Sequence, residues 1–290
     1  MFKNFKKKLI KVQKGKIFCR IKGDGPPMLL LHGYPQTHLM WHKTAPELSK
    51  YFTIVAADLR GYGDSFVLKS DKKHKNYSKR EMAKDMVQLM KKLGFKNFFV
   101  AGHDRGGRVA HRMARDHRKN ILALSILDIC PTLDMYEKTD MKFAKGYFHW
   151  FFLIQPAPLP EKMIMSNPKN WLKSRFNRSP ERGFGNIEKE YLRCFKQKNR
   201  IYASCEDYRA AATIDLEHDK KDRNKKINIP IQILWGKKGV VGQQFNSIEI
   251  WKKYTTKKVY GVEINSEHFI PEERPKETIK HLKNFFLKHV

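Results

Sequence analysis

Cysteine is scarce in this sequence, and the few cysteines are not arranged as metal ligands. Cys19, Cys130, Cys194 and Cys205 are scattered along 290 residues and form no C-x-x-C pair. That spacing argues against a zinc site and gives no disulfide framework. A chain of this length buries enough apolar surface to fold without such cross-links.

Long apolar runs are missing as well. No stretch approaches about 20 apolar residues, so we expect no transmembrane helix and no membrane partner. The basic start of the chain, MFKNFKKKLIKVQKGK, has no apolar segment after it and is unlike a secretory signal. Together these features favour a cytoplasmic location.

Acidic residues are few: the chain has 29 of them against 59 basic residues, which gives a formal net charge of +30. Nucleic-acid-binding proteins usually concentrate such charge in a patch or an arm. Here the lysines run through the whole chain and are not interleaved with aromatic residues. We therefore expect a solvated lysine-rich surface and no nucleic-acid partner. A basic exterior would still attract small anions.

Strands and helices alternate in the first half of the chain. Apolar runs predict strands over residues 16–21, 28–31, 53–57, 97–101 and 123–128. Helical spacing of apolar residues predicts helices over residues 78–93 and 105–116. Such alternation predicts an α/β fold with a mostly parallel sheet and right-handed crossovers.

The composition changes from about residue 130, where proline, aromatic and charged residues dominate and no buried strand is evident. Strands return over residues 231–235 and 257–262, and an amphipathic helix over 275–289 closes the chain. We predict a core formed by residues 1–130 and 225–290. A mostly helical insertion over 131–224 would interrupt it.

The segment Gly102-His103-Asp104-Arg105-Gly106 lies between a predicted strand and a predicted helix. This pattern is typical of a nucleophile elbow, in which small residues permit a tight turn that lifts the central side chain clear of the sheet. The alternative is that Asp104 has no catalytic role and only caps the helix that follows. The glycines around it favour the elbow, and Asp104 is the candidate nucleophile.

Three other segments supply candidate partners for this aspartate. His32-Gly33-Tyr34-Pro35 follows a strand at the place where this architecture provides an oxyanion hole, so the backbone N–H groups near Tyr34 and Arg105 are candidate donors. His268 follows the last strand and is the candidate general base. The loop after the strand 231–235 contains no carboxylate, so Asp128, after the strand 123–128, is the candidate that orients the histidine.

Arginines flank the candidate nucleophile. An aspartate nucleophile displaces a leaving group at an alkyl carbon, and activated water then hydrolyses the ester. Enzymes of this kind that act on neutral haloalkanes or epoxides carry Trp after the nucleophile, whereas this chain carries Arg105, with Arg108 one helical turn further. Two guanidinium groups suit a substrate carboxylate.

Several motifs resemble those of the fluoroacetate (haloacetate) dehalogenases of the α/β-hydrolase superfamily, over nearly the whole chain. They are His32-Gly33-Tyr34-Pro35-Gln36-Thr37, the segment from Gly102 to Arg108, His149-Trp150, Cys205-Glu206-Asp207-Tyr208-Arg209-Ala210 and His268-Phe269-Ile270-Pro271-Glu272-Glu273.

The resemblance implies an α/β-hydrolase fold with a helical cap, and a halide pocket formed by His149, Trp150 and Tyr208. It also implies that pairing as a homodimer is possible. Two positions depart from the family. Tyr34 stands where Phe is usual, which leaves the backbone donor intact. Glu267 stands where Gly is usual, and its carboxylate would raise the pKa of His268 or crowd ester hydrolysis.

The sequence thus predicts hydrolysis of 2-haloacetates to glycolate and halide, with a small anionic substrate, water as co-substrate, and no metal or organic cofactor. One alternative is an epoxide hydrolase, which would need Tyr147, Tyr191 or Tyr202 as the partner of Tyr208 in the cap. A second alternative is a non-catalytic basic protein that binds nucleic acid or an anionic membrane.

Overall fold

The fold is built on one eight-stranded sheet, seen in a computed structural model that describes residues 1–176 and 185–290. The strand order across the sheet is β1-β2-β4-β3-β5-β6-β7-β8. The strands are β1 (Lys6–Lys11), β2 (Lys16–Lys22), β3 (Pro27–Leu31), β4 (Thr53–Ala57), β5 (Phe98–His103), β6 (Ile121–Leu127), β7 (Ile231–Gly236) and β8 (Val259–Ile264).

The strands from β4 across to β8 run parallel, whereas β2 is antiparallel to both β1 and β4. Every residue of β4 and β5 is buried, because the faces of a parallel sheet are covered by its crossover helices. The carboxyl ends of β3, β5, β6 and β7 therefore meet at one edge of the sheet. Ligand sites of open α/β sheets lie at this edge.

Helices that pack on the sheet come from both halves of the chain. They are α1 (Ala45–Leu48), α2 (Lys79–Lys92), α3 (Arg105–Asp116), α12 (Val240–Gln244), α13 (Ser247–Lys252), α14 (Ile270–Glu273) and α15 (Pro275–Leu287). Short 3-10 turns cover His38–Trp41, Lys75–Tyr77 and Arg118–Asn120. In α2 the serine at position 78 caps the helix by accepting a hydrogen bond from the N–H of Glu81, while the apolar side chains face the core.

The segment between β6 and β7 is helical where the structure describes it, as the sequence predicts. Its helices are α4 (Thr132–Glu137), α5 (Met141–Gly146), α6 (Phe148–Leu153), α7 (Leu159–Ser166), α8 (Pro168–Phe176), α9 (Gly185–Phe195), α10 (Lys198–Ala212) and α11 (Ile214–Lys221). Residues 177–184, which the predicted cap includes, lie outside the described residues. The bounds of the cap as a separate domain remain a prediction.

Two local features of the structure are not evident from the sequence. The first strand, β1, has the sequence KKKLIK, which has little apolar character, and it gains its structure from pairing with β2. The polar stretch over residues 222–226 is not a free linker. The Asp222 carboxylate accepts hydrogen bonds from Arg80 and Arg112, and its carbonyl accepts one from Arg115, so the chain is held against α2 and α3.

In the described part of the chain, no helix is both long and apolar enough to cross a bilayer.

Candidate active site

Asp104 lies at a tight turn between β5 and α3, with φ of 46° and ψ of −115°. This left-handed φ is uncommon for a residue with a side chain and is held by close backbone packing on both sides. A Cβ on Gly106 would lie 2.5 Å from the carbonyl oxygen of His32, and one on Gly102 would lie 2.5 Å from that of Gly106. Only glycine fits at these positions, so the turn has the geometry that a nucleophile elbow requires.

The loop after β3 touches the Asp104 side chain directly. The Tyr34 N–H donates a hydrogen bond to Asp104 Oδ2 at 2.9 Å. A Cβ on Gly33 would lie 2.6 Å from the Cβ of Asp104, so this approach also needs glycine. Burial favours a raised pKa at Asp104, but the charges of His268 and Arg105 outweigh it and hold that pKa below its ordinary value. The carboxylate is therefore ionised and partly aligned by a backbone donor.

His268 and Asp128 form a hydrogen bond of 2.5 Å between Nδ1 and Oδ2. Asp128 directly follows β6, has a φ of 52°, and accepts a second hydrogen bond from the Gly236 N–H at 2.8 Å. Burial raises the pKa of Asp128. Burial would lower the pKa of His268, but the hydrogen bond and charge of Asp128 outweigh that effect and raise it. The structure thus brings together the histidine and aspartate that the sequence paired.

Glu273 supports the histidine loop and was missed by sequence reasoning. Its carboxylate accepts hydrogen bonds from the backbone N–H groups of Glu267 and Phe269, at 2.7 and 2.8 Å, which flank His268 on either side. Its charge also contributes to the raised pKa of His268. The sequence alone points to Glu267 as the extra carboxylate near the base. The available signal for Glu273 was the pair of glutamates just after His268.

A cavity of about 220 Å³ opens in front of Asp104 and His268. Its wall contains five of the other residues singled out from the sequence, namely Tyr34, Tyr147, His149, Trp150 and Glu267. The remaining lining residues are Arg175, Lys238, Gly239, Val240 and Phe269. The predicted nucleophile and base therefore face one enclosed space, with positively charged side chains also on its wall.

The Arg105 guanidinium is fully buried and is held by a carboxylate of helix α10. Its Nε donates to Asp207 Oδ2 at 3.0 Å, and its Nη2 donates to Asp207 Oδ1 and to the Asp207 carbonyl, both at 2.7 Å. Burial opposes the charged form of Arg105, but Asp207 raises its pKa well above the ordinary value. Only Nη1 has no hydrogen-bond partner among the described residues.

Arg108 has a different environment, although it is equally buried. Its Nη1 donates to the Cys130 carbonyl at 3.1 Å and to the Thr132 hydroxyl at 2.9 Å, and its Nη2 lies 3.2 Å from the Met135 sulfur. Burial, and then the neighbouring charge of Arg105, lower its pKa. Among the described residues no carboxylate pairs with Arg108, and its Nε has no partner. The charge of Asp104 favours the guanidinium cation, but it does not outweigh burial and the charge of Arg105. A buried cation that forms no ion pair is costly, and a bound anion would stabilise it.

Aromatic rings cover both guanidinium groups. Arg105 lies over the Tyr208 ring at 4.1 Å, and Arg108 lies over the Trp150 ring at 4.6 Å. The Tyr208 ring is 5.8 Å from His149 and 6.3 Å from Trp150, and its buried hydroxyl has no partner in the described part of the chain. The three residues expected to receive a halide are therefore neighbours, although Tyr208, like Arg105 and Arg108, is not among the residues that line the cavity.

Tyr34 links this wall to helix α8. Its ring stacks on His149 with an interplanar angle of 10°, and its hydroxyl accepts a hydrogen bond of 2.6 Å from Trp171 Nε1. The usual Phe has no hydroxyl and would not form this bond. The departure at Tyr34 thus joins the oxyanion loop to a helix of the insertion, and its backbone donor is intact.

Two of the three tyrosines considered for an epoxide hydrolase are engaged elsewhere. The Tyr191 hydroxyl donates to Glu272, and the Tyr202 hydroxyl accepts from the Ser70 N–H. Tyr147 lines the cavity.

Among the residues that the structure describes, no three histidine, cysteine or carboxylate side chains are grouped so that they could hold a metal ion.

Comparison with known proteins places this arrangement in a family. A family described as alpha/beta hydrolase fold matches residues 26–275. The chain is 39% identical over 289 residues to a fluoroacetate dehalogenase from Burkholderia sp. The alignment covers 98% of this chain and 95% of that protein. It is 32% identical over 270 residues to a soluble epoxide hydrolase from Corynebacterium sp. (strain C12), with 91% of each chain covered.

Solved structures agree with the fold. A crystal structure described as an alpha/beta hydrolase from Nostoc sp PCC 7120 superimposes with a TM-score of 0.97 at 49% identity, with 99% of each chain covered. The chain therefore belongs to the α/β-hydrolase fold family and, within it, to the haloacetate dehalogenases, which are hydrolases that act on carbon–halide bonds. The fold class and the family predicted from the sequence are confirmed.

Proposed function

We propose that this protein hydrolyses 2-haloacetates, such as fluoroacetate and chloroacetate, to glycolate and halide through an ester on Asp104. The observation that carries the proposal is the buried guanidinium of Arg108, which has no carboxylate partner among the described residues and lies one helical turn from the nucleophile. A substrate carboxylate would supply the missing negative charge. Neutral haloalkanes or epoxides would supply no such charge.

In the first step the substrate carboxylate binds between Arg105 Nη1 and Arg108 Nε, the two buried donors that have no partner among the described residues. Asp104 Oδ2 is held by the Tyr34 N–H, so Oδ1 is the attacking oxygen. A bond forms between Oδ1 and the substrate C2 as the carbon–halogen bond breaks. The halide leaves with the bonding electron pair toward His149, Trp150 and Tyr208.

These three side chains suit a leaving halide. An imidazole N–H, an indole N–H and a phenol O–H are all donors, and fluoride in particular needs strong hydrogen bonds to depart. The Tyr208 hydroxyl is buried and partnerless among the described residues, which is what a donor awaiting an anion requires. Burial raises its pKa well above the ordinary value, so the phenol retains its proton.

In the second step water hydrolyses the ester. Because His268 Nδ1 bonds to Asp128, Nε2 is the atom that takes a proton from water. The resulting hydroxide attacks the ester carbonyl carbon of Asp104. The oxyanion that forms on Oδ2 is stabilised by the Tyr34 N–H, with the Arg105 N–H at the start of α3 as the second donor. The bond between the carbonyl carbon and Oδ1 then breaks, His268 gives its proton to the leaving oxygen, and glycolate departs with Oδ1. The new hydroxyl group on Asp104 loses its proton to solvent, which regenerates the carboxylate.

Halide release tests this proposal directly. We expect the purified protein to release fluoride from fluoroacetate and chloride from chloroacetate, measured with ion-selective electrodes, with glycolate formed in equal amount. Asp104→Asn serves as the inactive control. Absence of halide from both substrates, together with turnover of styrene oxide, would refute the proposal.

An epoxide hydrolase is the second candidate, favoured by Tyr147 on the cavity wall and by the similarity to the Corynebacterium enzyme. Such an enzyme would use Tyr147 and Tyr208 as a donor pair for the epoxide oxygen. Turnover of styrene oxide that is lost in Tyr147→Phe, with no halide release in the wild type, would favour it.

We also propose a cytoplasmic location and a homodimer, with no nucleic-acid partner. Cell fractionation, sedimentation velocity and a gel-shift assay across salt concentrations test these points.

A further inference from the structure

The two arginines of the proposed carboxylate site differ in charge balance. Arg105 makes three hydrogen bonds to Asp207, whereas Arg108 contacts only neutral groups among the described residues. The positive charge of Arg105 is therefore already compensated within the protein. Arg108 forms no ion pair among the described residues, and the Asp104 carboxylate offsets only part of its charge.

Asp207 belongs to a buried cluster that is electrically neutral. Its carboxylate contacts the Lys79 ammonium as well as Arg105, and the Tyr62 hydroxyl donates to it at 2.6 Å. Lys79 also bonds to Asp215, through its ammonium group at 3.3 Å and its backbone N–H at 2.8 Å. Two cations thus face two carboxylates, all of them almost completely buried.

The geometry of this cluster fixes the direction of Arg105. A guanidinium has five N–H bonds in a rigid plane, and Asp207 engages those of Nε and Nη2 on one side of it. The side that remains carries Nη1, which has no partner among the described residues. Asp207 is adjacent to Tyr208 on α10, so one turn of this helix touches both the carboxylate site and the proposed halide site.

We infer that Asp207 is a positioning residue for Arg105: it neutralises the guanidinium and aims Nη1 at the substrate, while Arg108 supplies the charge that attracts the substrate carboxylate. This inference rests on the proposed function. It gives the two arginines separate roles, with alignment at Arg105 and affinity at Arg108. Misalignment of a bound substrate slows the chemical step, whereas loss of a counter-charge weakens binding.

The test separates affinity from turnover. Acetate is the probe for carboxylate binding, measured by isothermal titration calorimetry, and chloroacetate is the substrate for halide release. In Asp207→Asn we expect kcat to fall about 10- to 100-fold while the Kd for acetate changes less than about threefold. In Arg108→Met we expect the Kd for acetate to rise about 30-fold or more. Asp219→Asn, which removes another buried aspartate paired with arginines, is the matched control and keeps the wild-type kcat.

A double-mutant cycle tests whether Asp207 acts through Arg105. In an Arg105→Lys background the further change Asp207→Asn should alter kcat by no more than about twofold. Additive effects would overturn the inference, as would an acetate Kd in Asp207→Asn that rises as much as in Arg108→Met.

If Asp207→Asn does not fold, the charge-balanced variant Lys79→Met/Asp207→Asn leaves one cation against one carboxylate and gives the same two measurements. A wild-type protein that neither binds acetate nor releases halide refutes the proposed function itself. A wild-type protein that does both, with an Asp207→Asn variant indistinguishable from it, refutes only the positioning role.

Discussion

The two steps of the proposed reaction need different protonation states at Asp104 and at His268. Asp104 needs to be ionised to attack, and neighbouring positive charge holds its pKa low. His268 needs to be neutral to accept a proton, yet three carboxylates, those of Asp128, Asp104 and Glu273, hold its pKa high. Ester formation removes one of those three charges, because Asp104 becomes neutral. The pKa of His268 then falls just before the step in which it acts as a base.

A pH dependence follows from this loss of charge. In the free enzyme we expect the His268 imidazole to titrate above about 6.5, the ordinary value for histidine. In the ester intermediate the imidazole should titrate at lower pH. The rate of ester hydrolysis should therefore rise with pH and reach its plateau at a lower pH than the titration of the free enzyme implies. NMR titration of the imidazole and quenched-flow mass spectrometry of the ester measure the two midpoints. Equal midpoints would contradict the role given to the Asp104 charge.

The replacement His268→Asn should trap the intermediate. Without the base, Asp104 still displaces chloride from chloroacetate, but water no longer attacks the ester at an appreciable rate. Intact mass spectrometry should show one carboxymethyl group per chain, and peptide mapping should place it on Asp104. The variant Asp104→Asn/His268→Asn should show no adduct. An unmodified His268→Asn protein that releases halide through many turnovers would rule out the assigned roles.

Some of these residues could be predicted from the sequence and others could not. Asp104 is recognisable because the glycines around it are needed by the turn itself, whatever the rest of the fold does. Asp207 carries no such local mark. Its role depends on the fold bringing α10 close to the start of α3, so that residues 102 positions apart form a hydrogen bond, and such a contact exists only in the folded chain.

Among the secondary-structure elements, the predictable ones are those whose own apolar residues mark them as strands or helices. The apolar runs of β4 and β5 mark buried parallel strands, and the observed bounds differ from the expected ones by at most two residues. The strand β1 lacks such a pattern. Its sequence KKKLIK becomes a strand because β2 pairs with it along its whole length.

The end of the helical insertion is joined to the core by an ion-pair network. Asp219, on α11, accepts hydrogen bonds from Arg112 at 2.5 Å and from Arg115 at 3.4 Å, both on α3. These side chains are nearly buried, so their pairing is little screened by solvent. The network fixes the point at which the chain returns to the sheet.

We expect Asp219→Asn to lower the free energy of unfolding by about 2 kcal/mol, since it replaces charge-assisted hydrogen bonds within a buried network. Urea denaturation followed by circular dichroism measures the change. As the matched control, Glu249→Gln breaks the exposed pair of Glu249 with Lys252 and should change the same quantity by about 0.5 kcal/mol or less. Losses of equal size in the two variants would argue against a stabilising role for the network.

At the scale of the whole molecule, the arginines and lysines are used differently. Arg60, Arg105, Arg108, Arg112 and Arg115 are almost fully buried, and four of them are paired with carboxylates. Most lysines are exposed, Lys79 being an exception. The surface charge is thus largely a property of lysine side chains in solvent, as the sequence predicts.

Net charge of this size should assist capture of an anionic substrate. We expect kcat/KM for chloroacetate to fall about two- to fivefold as ionic strength rises from about 0.02 to about 0.5 M, because salt screens the attraction between the +30 protein and the substrate. Steady-state assays in sodium acetate and in sodium perchlorate at equal ionic strength separate charge screening from competition by the salt anion for the active site. If kcat/KM falls with one anion and not with the other, the anion occupies the site and screening is not the cause.

The lysines of the edge strand β1 also affect how the sheet meets other copies of the protein. An exposed edge presents unpaired backbone N–H and C=O groups, to which a strand from another copy can add. Lys6, Lys7, Lys8 and Lys11 are all exposed along this edge, with Leu9 between them. A second copy approaching in register would bring like charges together, so each molecule repels strand addition by its neighbours. The lysines of β1 thereby keep an open sheet from growing into an aggregate.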